Sequence, residues 1–362
     1  MNKISTRQLC FFLAAIAPVG KIVLLPTNLI YYSKNNLLFP AAMNILLQAG
    51  IVFLVLLLAK ENRSLYDLIA DKLGKVTAKI VLTVFSLFFF YAAFMPLLEQ
   101  KILVQGIFYD TLPSILSFSS FFVFSAYMCS KPLSSFGRTW DILAPLSIAA
   151  FLGLFAFSAG SADFGALAPV LQSGAGEVFR GFAFNTGWFL DSAILLSFLG
   201  KIDYKKGLPW KGLLSYLAGG AAVLFFLAIF YGIFQETAIN QEFAFSKVAK
   251  YFPGIDTLGR IDFIFIYSLS LVMSFYAILP LQAGIDLLQQ SYGRENKRLL
   301  PALLSIAVNA VMLVLTIIFD HRYISANLLI NQDLFWIFPI FCLLFPALTL
   351  LFKIRRRRET QQ

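Results

Sequence analysis

Ten apolar runs, separated by short polar stretches, limit what this chain can fold into more than any other feature of its sequence. A helix that crosses a bilayer needs about 20 mostly apolar residues, a length that all but the short fourth run approach. Since lipid offers no partner to an open backbone, the sequence predicts an all-α integral membrane protein with ten transmembrane helices. The predicted spans are 9–31, 39–59, 78–108, 115–130, 141–160, 179–200, 212–235, 262–288, 300–319 and 334–352.

The composition supports this fold class. Hydrophobic residues make up 59% of the chain and charged residues 13%, whereas soluble domains carry about 25% charged residues. The polar stretches between the runs are too short to form a soluble domain. We therefore expect residues 1–362 to form one permease-like transmembrane domain that acts in or at the membrane.

The basic residues predict the orientation. They concentrate at the N-terminus, on alternate loops and in a basic tail, 353–362, while the intervening loops carry few of them. Positively charged loops stay in the cytoplasm, so both termini and the tail are expected to be cytoplasmic. The net charge of +10 then faces the anionic inner leaflet, which predicts membrane lipid as a partner and argues against nucleic acid.

Catalytic and metal-binding patterns are missing from the sequence. There is one histidine, and the three cysteines show no metal-ligand spacing. Nucleophile-elbow, zinc-protease and phosphate-loop motifs are also lacking. The sequence predicts that the protein is not an enzyme and uses no metal or cofactor.

Two predicted spans are interrupted. The first contains Pro18, Val19, Gly20 and Lys21 in its middle; proline removes a helix hydrogen bond and glycine permits an open backbone. The sixth contains Asn185, Thr186 and Gly187, followed by Asp191. Interrupted spans at matching positions of two five-helix halves indicate a transporter-like inverted repeat with its binding site at the breaks.

Lys21 lies near the middle of the first span, where a charge is costly. Asp191 is the first candidate for its partner, and Glu99, which follows the Pro96 kink in the third span, is the second. The pair could be structural, it could line a polar cavity, or Lys21 could face a partner subunit. Ser270 and Ser274 in the eighth span either face that cavity or bond to their own helix.

Two segments outside the spans have helical patterns of their own. Residues 64–74 begin with an S-x-x-D capping pattern and continue as a short amphipathic helix. Residues 236–260 present aromatic and aliphatic side chains at helical spacing and end at Pro253–Gly254. We expect the second segment to pack over the outer mouth of the bundle.

Five stretches of the sequence, taken in order, resemble the spore germination protein family, the permease-like B subunits of nutrient germinant receptors in the amino acid–polyamine–organocation transporter superfamily. The resemblance covers nearly the whole chain. Its main departure is at the first break, where the family has two small residues spaced by one and this chain has Val19, Gly20 and Lys21. The matching stretches are ISTRQLCFFLAAIAPVGKIVLLP, SLYDLIADKLGK, SSFGRTWDILAPL, APVLQSGAGEVFRGFAF and FPGIDTLGRIDFIFIYSLSL.

The resemblance implies a receptor subunit in the spore inner membrane that binds a small nutrient, expected to be an amino acid, and signals to A subunits and to C subunits, which are lipoproteins. The nutrient would sit between the first and sixth spans, with the third and eighth lining the site. Lys21 would attract the nutrient carboxylate directly or occupy a coupling-ion site. A proton-coupled amino-acid permease is the alternative, and a membrane enzyme is disfavoured by the short outer loops. The residues assigned to the site are Pro18, Val19, Gly20, Lys21, Glu99, Asn185, Thr186, Gly187, Asp191, Ser270 and Ser274.

Overall fold

A computed structural model describes residues 3–108, 114–169, 174–241, 243–251, 262–292, 299–318 and 336–359. These residues form helices and connecting turns, and the pairing of Ile4 with Ile202 is an isolated bridge between extended segments. The predicted all-helical class is therefore confirmed for the described residues.

The described residues contain fourteen α-helices, numbered here in chain order. Each of the ten apolar runs contains at least one of them. The helices are α1 (Thr6–Phe11), α2 (Leu25–Ser33), α3 (Leu38–Leu58), α4 (Leu65–Leu73), α5 (Lys75–Phe108), α6 (Ser114–Cys129), α7 (Leu133–Ser158), α8 (Ala175–Phe184), α9 (Asp191–Ser197), α10 (Leu208–Phe234), α11 (Ala244–Ala249), α12 (Asp262–Tyr292), α13 (Leu299–Ile318) and α14 (Ile337–Glu359).

Six helices in the described part of the chain are long and apolar enough to cross a membrane, namely α3, α5, α7, α10, α12 and α13. A bent pair made of Thr6–Lys21 and Leu25–Asn36 forms a seventh candidate span. The apolar stretches Phe118–Cys129 and Ile337–Leu350 are shorter. The chain is thus a multi-pass helical membrane protein.

Two helix ends differ from the predicted spans. Helix α7 begins at Leu133, because Pro132 provides an extended N-cap and the polar residues that follow it continue the helix. Helix α14 runs through the basic residues to Glu359, so the start of the predicted tail is a continuation of the last helix. An apolar run in the sequence therefore predicts which part of a helix lies in the membrane, but it does not predict the residues at which the helix begins and ends.

Close packing in the interior depends on small residues. Helices α5 and α12 lie along each other, and a Cβ on Gly284 would come 2.5 Å from the Phe90 ring. Helices α3 and α10 form a second close pair, in which a Cβ on Gly220 would come 2.5 Å from Ile45. The broken first span packs against α10 and α12, one helix from each pair.

The predicted amphipathic helix at 64–74 is present as α4. Ser64 is its N-cap, accepting a hydrogen bond from the Asp67 amide, and Gly74 ends it with a φ of 88°, a conformation that glycine adopts readily. Leu65, Leu68 and Ile69 are buried.

The segment predicted at 236–260 is less regular than expected. It contains a 3₁₀ stretch, Gln235–Asn240, and the short helix α11. Phe245 and Val248 are buried, as predicted for a packed helix. The predicted stop at Pro253–Gly254 lies outside the described residues.

Candidate functional site

The predicted interruption of the first span is present. Helix α1 passes into a π-helical turn at Phe12–Ile16, then into a 3₁₀ turn at Ala17–Lys21, and α2 begins at Leu25. The two halves are bent by 61°. Pro18 has no N–H to continue the hydrogen-bond ladder, which explains why the α-helix does not run through.

The carbonyl groups freed before the break have side-chain partners. Ser147 on α7 donates to the Ala15 oxygen at 2.7 Å, and the Lys21 ammonium donates to the Ala17 oxygen at 3.0 Å. On the α10 side the backbone approaches so closely that a Cβ on Gly219 would lie 2.7 Å from a carbonyl oxygen of the π turn. Two carbonyl groups at the break are therefore satisfied away from water.

Helix α11 supplies partners on the far side of the break. The Phe245 amide donates to the Ile22 oxygen at 3.2 Å, and the Ala244 amide donates to the Val23 oxygen at 3.0 Å. The first turn of a helix has amides without partners in its own helix. The outer segment is therefore hydrogen-bonded directly to the first break.

The sixth predicted span is also interrupted. Helix α8 ends at Phe184, a 3₁₀ turn occupies Thr186–Trp188, and α9 begins at Asp191. The Asn185 side chain donates to the Gly181 oxygen at 2.9 Å. Asn185 and Thr186 are completely buried, so they support the break from within the protein.

The two breaks meet through a buried ion pair. Lys21 Nζ lies 2.7 Å from Asp191 Oδ2, and the two side chains are 3% and 0% exposed. The Tyr216 hydroxyl on α10 also donates to Asp191 Oδ2, at 3.3 Å. Of the two candidate partners for Lys21, the structure selects Asp191.

Aromatic rings surround the Lys21 ammonium. It lies 5.4 Å from the centroid of the Phe189 ring and 5.9 Å from that of the Tyr276 ring on α12. At such distances the ring faces attract a cation. The same tyrosine packs against the first break, since a Cβ on Gly20 would lie 2.1 Å from its Cε1.

A small cavity lies beside the two breaks. The space open to the centre of a water molecule is about 30 Å³. Its walls come from both breaks and from α5, α9 and α12, which belong to the first, third, sixth and eighth predicted spans. The lining residues are Gly20, Ala92, Met95, Pro96, Glu99, Gly187, Trp188, Leu190, Ile194, Tyr276 and Pro280.

Three of the sequence-assigned site residues, Gly20, Glu99 and Gly187, line this cavity. Pro18 and Lys21 line a smaller space beside α10, and Val19 is buried in the core. Ser274 instead accepts a hydrogen bond from Gln100 at 2.7 Å and donates to the Ser270 oxygen at 2.9 Å. Ser270 and Ser274 thus connect α12 to α5 and do not line the cavity.

A family model described as spore germination protein matches residues 3–322. The chain belongs to the spore germination protein family. It is a germination-related, permease-like membrane protein, which agrees with the resemblance found in the sequence. No curated protein matches the chain.

Several residues that hold the site of this spore germination protein were not singled out in the sequence. On α3, Asn44 donates to the Phe182 oxygen at 3.0 Å and accepts from Thr186 at 3.2 Å. One turn further along, Gln48 accepts a hydrogen bond from Ser192 on α9. The sequence did contain a signal for them: two side-chain amides, Asn44 and Gln48, lie four residues apart in an otherwise apolar segment. Side chains at that spacing share one face of a helix, which would have predicted a polar contact there.

Trp188, Tyr216 and Tyr276 were also missed. Each lies at the site, but aromatic residues are so frequent in this protein, with 40 phenylalanines alone, that composition does not separate them from the lipid-facing set. Their positions follow only from the packing of α10 and α12 around the breaks.

A second ion pair lies beyond the other end of α9. Lys201 pairs with Asp286 on α12, whose side chain is nearly buried. Gln290 donates to Asp286 Oδ2 at 3.0 Å and to the Ser197 oxygen at 3.2 Å. The first residue of α9 is thus in one ion pair, and Gln290 connects the last residue of α9 to the second.

Proposed function

We propose that this protein is the B subunit of a nutrient germinant receptor and that it binds a small nutrient, expected to be an amino acid, in the cavity between the two breaks. The observation that carries the proposal is the meeting of two interrupted spans at a buried ion pair with a lined cavity beside it. Membership of the spore germination protein family supports a role for this arrangement in germination.

The arrangement supports a transporter-like core of two five-helix halves. The interrupted elements lie in the first and the sixth of the ten apolar runs of the sequence, which is the spacing expected of an inverted repeat. We infer from the basic residues that both termini face the cytoplasm, and from the family that the membrane is the inner membrane of the spore.

The size of the cavity implies a change of shape on binding. The cavity is small as the structure has it, and we propose that the nutrient binds a state in which it is larger. A ligand shifts such an equilibrium only through its higher affinity for one state. Tyr276 and Trp188 are the bulky lining groups whose movement would enlarge the space, and α9 would carry the movement to Lys201 and Asp286.

Signalling then requires partners that respond to the moving core. We propose the A subunit and the C lipoprotein subunit in this role. Affinity purification of the tagged chain from spore membranes is expected to recover both proteins, and their absence would argue against a receptor complex.

Germination of spores that carry single alanine substitutions tests the site. Gly20→Ala places a methyl group 2.1 Å from the Tyr276 ring, which forces the ring to move and changes the cavity. Gly50→Ala on α3 is the matched control, because a Cβ there meets nothing within 4 Å.

We expect the Gly20→Ala spores to lose their response to the nutrient that triggers the parent spores, with the chain present at parental levels in the membrane. Gly50→Ala spores should respond normally. A normal nutrient response in Gly20→Ala spores would contradict the assigned site.

A further inference from the structure

Glu99 on α5 is a buried carboxyl group at the wall of the cavity. It follows Pro96, its residue is 1% exposed, and Trp188 Nε1 donates to its Oε1 at 2.9 Å. It therefore links the third span to the turn of the sixth.

This carboxyl group has no basic partner among the residues that the structure describes. Lys21, the nearest candidate in the sequence analysis, is held by Asp191 and by the Ala17 oxygen. A carboxylate removed from water is unfavourable unless a positive charge or several donors compensate it. A cation bound in the cavity would compensate the charge of this carboxylate.

The remaining walls suit a small apolar body that carries this cation. Two aromatic rings, those of Trp188 and Tyr276, line this space. The other apolar lining side chains are aliphatic or thioether groups, namely Ala92, Met95, Leu190 and Ile194. Aromatic faces attract ammonium groups. Among the described lining residues there is no lysine, arginine or histidine that could hold an anionic group.

We propose that this cavity recognises its ligand through a primary ammonium group, which pairs with Glu99, and that a carboxylate on the ligand is not required. The inference rests on the proposed function and names the ligand class of that site. It replaces the expectation that Lys21 attracts the nutrient carboxylate, because Lys21 is committed to Asp191 and lies at a different space beside α10.

Binding of three probes with three carbon atoms each tests the ligand class. Propylamine carries only an ammonium group, propionate carries only a carboxylate, and alanine carries both. Each is titrated by calorimetry into the purified full-length protein in lipid nanodiscs. We expect propylamine and alanine to bind and propionate not to bind.

Substitution of the carboxyl group tests the residue. Glu99→Gln keeps the size of the side chain and an acceptor for Trp188, and it removes the charge. Because a hydrogen bond to a charged group contributes about 1.5–3 kcal/mol, propylamine affinity should fall by about 10–100-fold. Glu177→Gln, on α8 and away from the cavity lining, is the matched control and should leave the affinity unchanged.

The proposal is overturned if propionate binds as tightly as propylamine, if Glu99→Gln binds propylamine as tightly as the parent, or if neither amine binds. The probe panel on the parent protein decides the ligand class even if Glu99→Gln does not fold. A different result would contradict the proposed receptor function alone. In that case Gly20→Ala spores would respond to the nutrient normally, while the purified protein would still bind amines through Glu99.

Discussion

Removing one member of the Lys21–Asp191 pair should destabilise the protein far more than removing both. Charges 2.7 Å apart attract by about 6 kcal/mol at an effective dielectric constant near 20. Burial costs each ion several kcal/mol, so the net value of the pair is small. Lys21→Met leaves the buried Asp191 with hydroxyl groups, those of Tyr216 and Tyr276, and no positive charge among its described partners, and the expected loss is about 3–5 kcal/mol in the free energy of unfolding.

The double variant Lys21→Met/Asp191→Asn removes both charges and keeps an acceptor for Tyr216. We expect it to lie within about 1–2 kcal/mol of the native protein, because no unpaired charge remains. The assay is unfolding in mixed micelles by titration with a denaturing detergent, followed by tryptophan fluorescence. Lys211→Met, at an exposed position at the start of α10, controls for the loss of a lysine.

Two results would refute this reasoning. One is a Lys21→Met variant that is as stable as Lys211→Met. The other is a double variant whose loss equals the sum of the two single losses, which would mean that the charges do not compensate each other. Germination of spores that carry the stable double variant then separates a structural pair from a functional one, since a purely structural pair leaves the nutrient response intact.

Two further predictions concern packing and the far end of α9. Gly219→Ala should lower the free energy of unfolding by about 1–3 kcal/mol, because its Cβ would lie 2.7 Å from a backbone oxygen. Gly50→Ala, whose Cβ meets nothing within 4 Å, should raise the free energy of unfolding by up to about 1 kcal/mol. Equal effects of the two substitutions in the same unfolding titration would argue against the close approach of α10 to the first break. Asp286→Asn weakens the contact with Lys201 and should let the end of α9 move more freely. In a chain without its native cysteines, an aqueous thiol reagent should then label a cysteine introduced by Ser197→Cys faster. An unchanged labelling rate would show that this ion pair does not hold α9.

The helical fold was largely predictable because a membrane imposes strong local rules. Apolar length fixes where helices form, and Pro18 and Gly20 mark the first break whatever surrounds them. The capping pattern at Ser64 likewise predicted α4. Helix ends were less predictable, since α7 and α14 extend into polar sequence that is helical but not apolar.

The site could be predicted only in part. The sequence singled out Lys21, Asp191 and Glu99 because a charge in an apolar run is rare and requires compensation. It could not choose between the two carboxylates, since that choice depends on how α5 and α9 are rotated against the first break. Tertiary packing decided it: Asp191 faces Lys21, and Glu99 faces Trp188.

The sequence by itself determined the fold class, the first interruption and the presence of charges that require a partner, because each follows from the cost of polar groups in lipid. Only the tertiary structure decided that Lys21 pairs with Asp191, that Ser270 and Ser274 contact α5, and that Asn44 and Gln48 support the second break. Those contacts join residues far apart in the chain. Local patterns show that a buried polar group needs a partner, and the fold alone determines which partner it meets.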